Sequence, residues 1–465
     1  MTGSGTIDLG DLVAIDRATS LASHALDKWN QKKLADPSQA IDRDPWRNHR
    51  KIAGKVVLDA ISARPAMAHE TDFRAALRAH LTSLIIARVT FETDVTIAEK
   101  VNEPLGILDL GKLQKISWRQ AMSGMIATRA PFEADAYLKA LAECGPEVAA
   151  AAREHRARRD EAAKRLGESS VHAHSSPSIG FACAAARALL DATEDLATDT
   201  IRDALKRNES VRDRASPTDV IAIAVARDAT SGWPSRLAAR WLEELFGAHV
   251  RGLALEPIFP SLVVGASSFA RALEAFGFSF GRAIAFKSRP FVLADDASAS
   301  GAHRVGALFG ALACGVPFHR RALGIGSEDA QRNARSLTRS ALIEARLRAA
   351  RLLLTETAPS SRGLFEEVTF RGFGASLPIS LYGAWPLPRA DEPARFLAAL
   401  EAPELSQSFV ERFDDDWFLN PRAFESLRHS LPRSRYESFP DRESTENSAV
   451  ETARQFAHAL ESRLA

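Results

Sequence analysis

The chain has 465 residues, 46% hydrophobic and 26% charged, which allows roughly two to four domains and excludes the composition of a disordered chain. Lys and Arg total 60 against 59 Asp and Glu, a net charge of +1, so no global field draws the molecule to nucleic acid or to an anionic membrane. The opening MTGSGTIDLGDLV lacks a basic and an apolar signal region, and no apolar run reaches the roughly 20 residues that cross a bilayer, so a cytoplasmic protein is expected.

Arginine dominates the cations, with lysine absent beyond Lys287, a bias of coding more than of function. Cys144, Cys183 and Cys314 have no metal-like spacing, and their odd number argues against a disulfide framework.

Taken in chain order, most segments read as helix. Residues 71–102 carry apolar side chains at helical spacing, with Thr71 and Asp72 as capping residues and one long helix or two broken near Thr90. Residues 133–166 continue the pattern, with a break expected at Gly145 and Pro146 and a stop at Gly167. The small, polar GESSVHAHSSPS reads as a loop, and helix resumes over 179–206 and 235–245. Between 257 and 300, Phe, Gly and β-branched residues increase, and RAIAF and RPFVLA read as two short strands. Helices dominate again from 301, interrupted by LYGAWPLPRADEP and closed by ENSAVETARQFAHALESRLA.

The stretch SGAHRVGALFGAL, 300–312, invites comparison with the zinc motif H-E-x-x-H. That motif needs two imidazoles four residues apart and a Glu between them to activate the bound water. His303 stands at the first position, but Arg304 replaces the Glu and Ala307 the second His. At about 100° per residue, Val305, Leu308, Phe309 and Leu312 share one face, while His303 lies with Gly306, Ala307, Gly310 and Cys314. A face of small residues suits close approach of another helix.

The order of long N-terminal helices, helical middle, strands and then GRAIAFKSRPFVLADDASASGAHRVGALFGAL resembles the thimet oligopeptidase and oligoendopeptidase F family of zinc metallopeptidases. LIIARVTFETDVTIAEKVNEPLGILDLGKLQKISWRQAMSGM is similar to that family's passage from helices through a strand-like piece to the next helix. The resemblance implies a mainly α fold: two helical lobes around a cleft, and a short β ribbon before the helix starting near His303. It places Arg304 at the general base, Gly306 at the motif Gly, Ala307 at the second ligand, Glu328 as the nearest candidate for the third ligand and Tyr382 in the segment that stabilises the oxyanion. Arg304 stays protonated and repels a dication, so zinc is not expected. Glu328, with Ser327 and Asp329, also suits a helix N-terminus.

Other candidates have plainer readings. His69 and Glu70 lack a second His at helical spacing. His172 and His174 are too few for a metal site. EHRARRDEAAKR pairs Glu154 with Arg158 and Glu161 with Arg165 on a solvated helix. Arg332, Arg335, Arg339 and Arg346 read as the outside of a helix or an anion-binding stripe. Asp414, Asp415 and Asp416 read as loop and capping residues, with Trp417 and Phe418 anchoring the turn.

The expected organisation is an N-terminal extension (1–45), an N-terminal helical lobe (46–170), a helical middle region (171–256), and a C-terminal region (257–465) holding the ribbon, the degenerate helix and a second lobe. The expected function is that of a pseudo-metallopeptidase without catalysis, its cleft taking a peptide, a protein partner or a small ligand. An enzyme of another kind in the same cleft, a residual metallopeptidase or an unrelated helical interaction protein are the alternatives.

Overall fold

The computed structural model describes residues 10–35, 44–63, 70–173, 178–207, 215–230, 232–233, 242, 244–253, 255, 266–285, 290–294, 299–356, 361–387, 389, 391–430 and 446–464. Helices α1 (Leu12–Ala35), α2 (Lys55–Ala63), α3 (Thr71–Val89) and α4 (Phe91–Asn102) open the chain. Thr90 separates α3 from α4: its hydroxyl donates to the Ile86 carbonyl, and its own carbonyl accepts from Thr93 Oγ1, the local competition by which Thr breaks helices. Glu70 takes the N-cap position before Thr71; His69 lies outside the described residues.

A two-stranded antiparallel hairpin follows, β1 (Gly106–Asp109) with β2 (Leu113–Ile116), registered Gly106 to Ile116 and Asp109 to Leu113. Gly111, at φ 85°, supplies the positive φ of the turn. This hairpin lies in the upstream segment similar to a helix-to-strand passage.

Helix α5 (Trp118–Ala127) starts with a capping box between Ser117 and Gln120. Helix α6 (Pro131–Arg165) then runs straight through the expected break at Gly145 and Pro146. At 1.5 Å per residue its 35 residues span about 52 Å. Gly145 is needed for a different reason: a Cβ there would lie 2.2 Å from the Ser380 carbonyl oxygen. The glycine admits a neighbouring turn, and Pro146 removes only one ladder hydrogen bond. On α6, Glu154 pairs with Arg158 at 3.2 Å and Glu161 with Arg165, as the spacing predicts.

Next come α7 (Ile179–Ala192), α8 (Glu194–Arg207), α9 (Pro217–Ala224), α10 (Gly247–Val250), α11 (Ala266–Ala285), α12 (Phe291–Ala294), α13 (Ser300–Ala311) and α14 (Val316–Arg321). The expected ribbon before residue 300 is corrected here: RAIA lies in α11 and FVLA is α12, while the small sheet stands near residue 110. Buried Phe269, Ala272, Leu273, Phe276, Phe280 and Ile284 recur at three and four residues, a helical period that outweighs the strand-like composition. Most of the helix expected over 235–245 lies outside the described residues.

Helices α15 (Ser327–Glu356), α16 (Arg362–Phe373), α17 (Glu392–Phe413), α18 (Pro421–Ser430) and α19 (Glu446–Leu464) complete the fold. The largest core joins the hairpin and α5–α9 to α15, α16, α17 and α19. A second, rich in phenylalanine, joins α11 and α13 to α18 around Phe246, Phe276, Phe309, Trp417 and Phe424. A third packs α1–α3 with Phe291 and Val292 of α12. The fold is mainly α, and among the described residues no helix is long and apolar enough to cross a membrane.

The arginine stripe on α15 needs a second correction. Arg346 is 2% exposed and donates to the Leu190 and Arg371 carbonyls, to Thr193 Oγ1 and to Glu194. One guanidinium thereby satisfies helix-end carbonyls of α7 and α16. Trp417 and Phe418 are each 1% exposed and anchor the turn after Asp414–Asp416 as expected.

Candidate functional site

Helix α13 presents the apolar face that its sequence requires, with Val305, Leu308, Phe309 and Leu312 buried in the phenylalanine core. Its opposite side meets two neighbours. Against α11 the contact runs through glycines on both helices. A Cβ on Gly306 would stand 2.8 Å from the Glu274 carbonyl oxygen, one on Gly277 2.7 Å from Phe309 Cβ, and one on Gly281 3.0 Å from Ala302 Cα. Against α17, Ala307 and Ala311 pack on Ala398 and Ala402.

The two altered motif positions are therefore engaged. Ala307 is 8% exposed within an alanine seam. Arg304 Nε stands 2.6 Å from Glu401 Oε2, although neither atom has a properly directed hydrogen bond, so the attraction is Coulombic more than directional. Ala299, just before the helix, is held at φ 52°, a left-handed conformation that costs a non-glycine residue about 1–2 kcal/mol.

His303, with a side chain 10% exposed, packs its ring 4.6 Å from that of Phe278 and turns Nε2 toward Asp391 Oδ2 at 3.5 Å. Arg389 donates from Nε and Nη2 to the two Asp391 oxygens at 3.0 and 2.9 Å. Burial works to raise the Asp391 carboxyl pKa, but Arg389 and His303 hold it well below the usual range.

Beside this group lies a network of ion pairs spanning three helices. Arg348 of α15 meets Glu274 of α11 at 3.1 Å, Arg395 of α17 reaches the same carboxylate at 3.5 Å, and Arg351 meets Glu392 at 3.2 Å. Arg271 pairs with Glu344. Desolvation opposes ionisation of Glu274, yet Arg348 and Arg395 bring it down to about 2. Acid and base are matched closely enough that the cluster acts as an electrostatic clamp between helices.

Glu328 sits elsewhere. It lines a cavity of about 1430 Å³ beside α14 and the start of α15, a lining that includes neither His303, Arg304, Ala307 nor Tyr382. The cavity begins where α13 ends, at Ala311, Leu312 and Cys314, and several arginines enter its wall, among them Arg335 and Arg463. Tyr382 stacks edge-on against Phe365 at 5.8 Å, packed on the largest core. The five residues singled out from the sequence thus divide into a His303–Arg304–Ala307 group and two separate positions. His172 is paired with Glu356 at 2.9 Å; His174 lies outside the described residues.

Zinc would require donors that this helix does not offer. His303 is directed at Asp391, Ala307 has no ligating atom and Arg304 brings a permanent positive charge. Among the described residues, no group of three or more His, Cys, Asp or Glu side chains is arranged to hold a metal ion. The residues present do not fit the metal.

Asp391, Arg389, Glu274, Arg348 and Glu401 are the members of this site that sequence patterns miss. Asp391 and Glu392 fall in LYGAWPLPRADEP, which reads as an interruption between helices, and nothing local points from them to His303.

No family model matches the chain, and no curated protein matches it. Among solved structures it is similar to oligoendopeptidase-F from Enterococcus faecium, with 9% identity, 97% of this chain and 90% of that chain covered, and a TM-score of 0.53. It is also similar to a Bacillus anthracis str. Ames chain assigned as oligoendopeptidase F, with 12% identity, 97% of each chain covered and a TM-score of 0.49. The class defined at this level is one of fold: a large helical scaffold with a very small sheet. More particularly, the scaffold is similar to that of oligoendopeptidase-F, and at 9% identity the likeness extends to the fold alone.

Proposed function

We propose that the protein is a pseudo-metallopeptidase, a binding protein on a metallopeptidase-like scaffold that does not hydrolyse peptides. One observation carries the reading: all three altered or retained motif positions have other work. Ala307 fills the seam with α17, Arg304 faces Glu401, and His303 faces Asp391. A water-activating base and a second imidazole have no room to act where these contacts stand.

The bound species is a peptide segment. The cavity that opens at the end of α13 measures about 1430 Å³, above the roughly 300–1,000 Å³ usual for drug-sized molecules. The near-neutral chain offers no general attraction for nucleic acid or for a membrane surface.

The test uses the full chain purified without chelators. Zinc content and peptide hydrolysis are measured for the wild type and for His303→Ala, and binding is followed by anisotropy against a library of labelled peptides. The reading expects substoichiometric zinc, no cleavage, and saturable binding of a subset of peptides. Stoichiometric zinc lost with His303→Ala, or turnover abolished by a substitution in the cavity, would overturn it in favour of an enzyme.

A further inference from the structure

Helix α6 carries two arginines, Arg156 and Arg159, one turn apart and so on the same side. Both are half-buried, and among the described residues no carboxylate stands within ion-pairing distance of either. Arg156 donates from Nη2 to the Pro386 carbonyl at a long 3.4 Å, while its Nε is buried without a hydrogen-bond partner.

Glu356 at the end of α15 and Asp160 of α6 both bear on the two arginines from beyond pairing distance, and Glu356 is already engaged. His172 Nε2 meets Glu356 Oε1 at 2.9 Å, with side-chain exposures of 3% and 14%. The undescribed stretches next in sequence to these groups, 174–177, 357–360, Pro388 and Ala390, contain no acidic residue. Burial disfavours the charge on both guanidiniums. Two desolvated cations a turn apart, with no carboxylate in direct contact and only the more distant Glu356 and Asp160 shared between them, are costly unless something else helps to neutralise them.

We infer that Arg156, which reaches the loop carrying Pro386, and Arg159, one turn further along α6, form an oxyanion site that takes a carboxylate-sized group of a ligand. Guanidinium is the side chain suited to this task, because its planar N–H fork matches two oxygens at once. The group has two possible sources, the carboxylate terminus of a peptide or a free anion such as phosphate. This inference stands whether or not the His303 helix is inactive.

The site predicts an inverse relation between stability and binding. Where a protein keeps an uncompensated charge for a ligand, removing that charge leaves the unliganded fold as stable or more stable and abolishes the ligand's effect. The probes are triglycine with a free carboxylate, its C-terminal amide and inorganic phosphate, each titrated into the full chain at constant ionic strength. Unfolding midpoint and calorimetric affinity are recorded. The expected result is saturable stabilisation of the wild type by at least one of triglycine and phosphate, and none by the amide.

Arg156→Met and Arg159→Met each weaken that binding at least tenfold while the unliganded midpoint stays or rises. Arg159→Gln serves as a second variant should a methionine variant fail to fold. Stabilisation by triglycine alone identifies a peptide terminus; stabilisation by phosphate identifies a free anion. The inference is overturned if no probe binds saturably, if the variants bind within twofold of wild type, or if Arg335→Met in the large cavity abolishes binding instead.

Discussion

Rebuilding the missing motif provides the strictest trial of the packing around α13. In the double variant Arg304→Glu, Ala307→His, the imidazole must enter a seam where Ala307 is 8% exposed and touches Ala398 and Ala402. Overpacking of this kind costs about 1–3 kcal/mol, and a ring in place of a methyl belongs at the upper end. At position 304 the substitution removes the cation 2.6 Å from Glu401 and installs a like charge, with the wild-type side chains 23% and 26% exposed. Partial solvation limits that loss to about 1–2 kcal/mol. The sites are one helical turn apart and couple, so about 4 kcal/mol is expected in total.

Urea unfolding gives the stability, and metal analysis after dialysis against zinc gives the stoichiometry. The double variant is expected to unfold at lower urea and to take less than one zinc per chain. Adding Ala398→Gly and Ala402→Gly is expected to restore part of the lost stability by reopening the seam. A double variant as stable as the wild type and binding one zinc would refute the packing argument.

Three further outcomes follow from the geometry. Gly145→Ala places a methyl 2.2 Å from the Ser380 carbonyl oxygen; the turn must move, and a loss of about 2 kcal/mol or more in urea unfolding is expected. Phe309→Ala empties a fully buried position ringed by Phe246 at 5.2 Å, Phe276 at 5.7 Å and Trp417 at 5.8 Å. Its expected cost is about 3–5 kcal/mol, and a change below 1 kcal/mol would contradict the assigned helix face. Glu274 is lowered from 4.5 to about 2, so its contribution is present above the unfolded value and is lost as pH falls through about 2. At 1.36 kcal/mol per pH unit it amounts to about 3 kcal/mol. Glu274→Gln should flatten the stability profile between about pH 4.5 and 2, and an unchanged slope there would remove Glu274 from the clamp.

What the sequence makes legible is whatever repeats along one helix. The α13 face of Val305, Leu308, Phe309 and Leu312 follows from spacing alone, and so does the small-residue face that lets α11 and α17 approach. The break at Thr90 and the solvated pairs on α6 are local in the same sense. Composition misleads where it competes with period: Phe, Gly and β-branched residues between 257 and 300 suggest RAIAF and RPFVLA as strands, yet Phe269, Phe276, Phe280 and Ile284 keep helical register.

Gly145 and Pro146 mark a tertiary contact and not a stop, because the reason for the glycine lies at Ser380. Arg346 belongs to a run of arginines whose period suggests an outer face, while its burial depends on carbonyls from α7 and α16. The partner of His303 is illegible for the simplest reason: Asp391, with the Arg389 that holds it, is far away in sequence and carries no local pattern.

The hairpin has a consequence of its own for how copies of the chain meet one another. Leu113, Gln114 and Lys115 of β2 are exposed, and Leu113 is 75% exposed. An apolar side chain on a short strand of this kind invites edge-to-edge association. In a chain whose cations are overwhelmingly arginine, Lys112 and Lys115 flank that leucine. Lysine is the side chain that most strongly resists pairing at a sheet edge, because its charge must remain hydrated. Two hydrated amines beside the exposed leucine of a four-residue strand disfavour association through this edge.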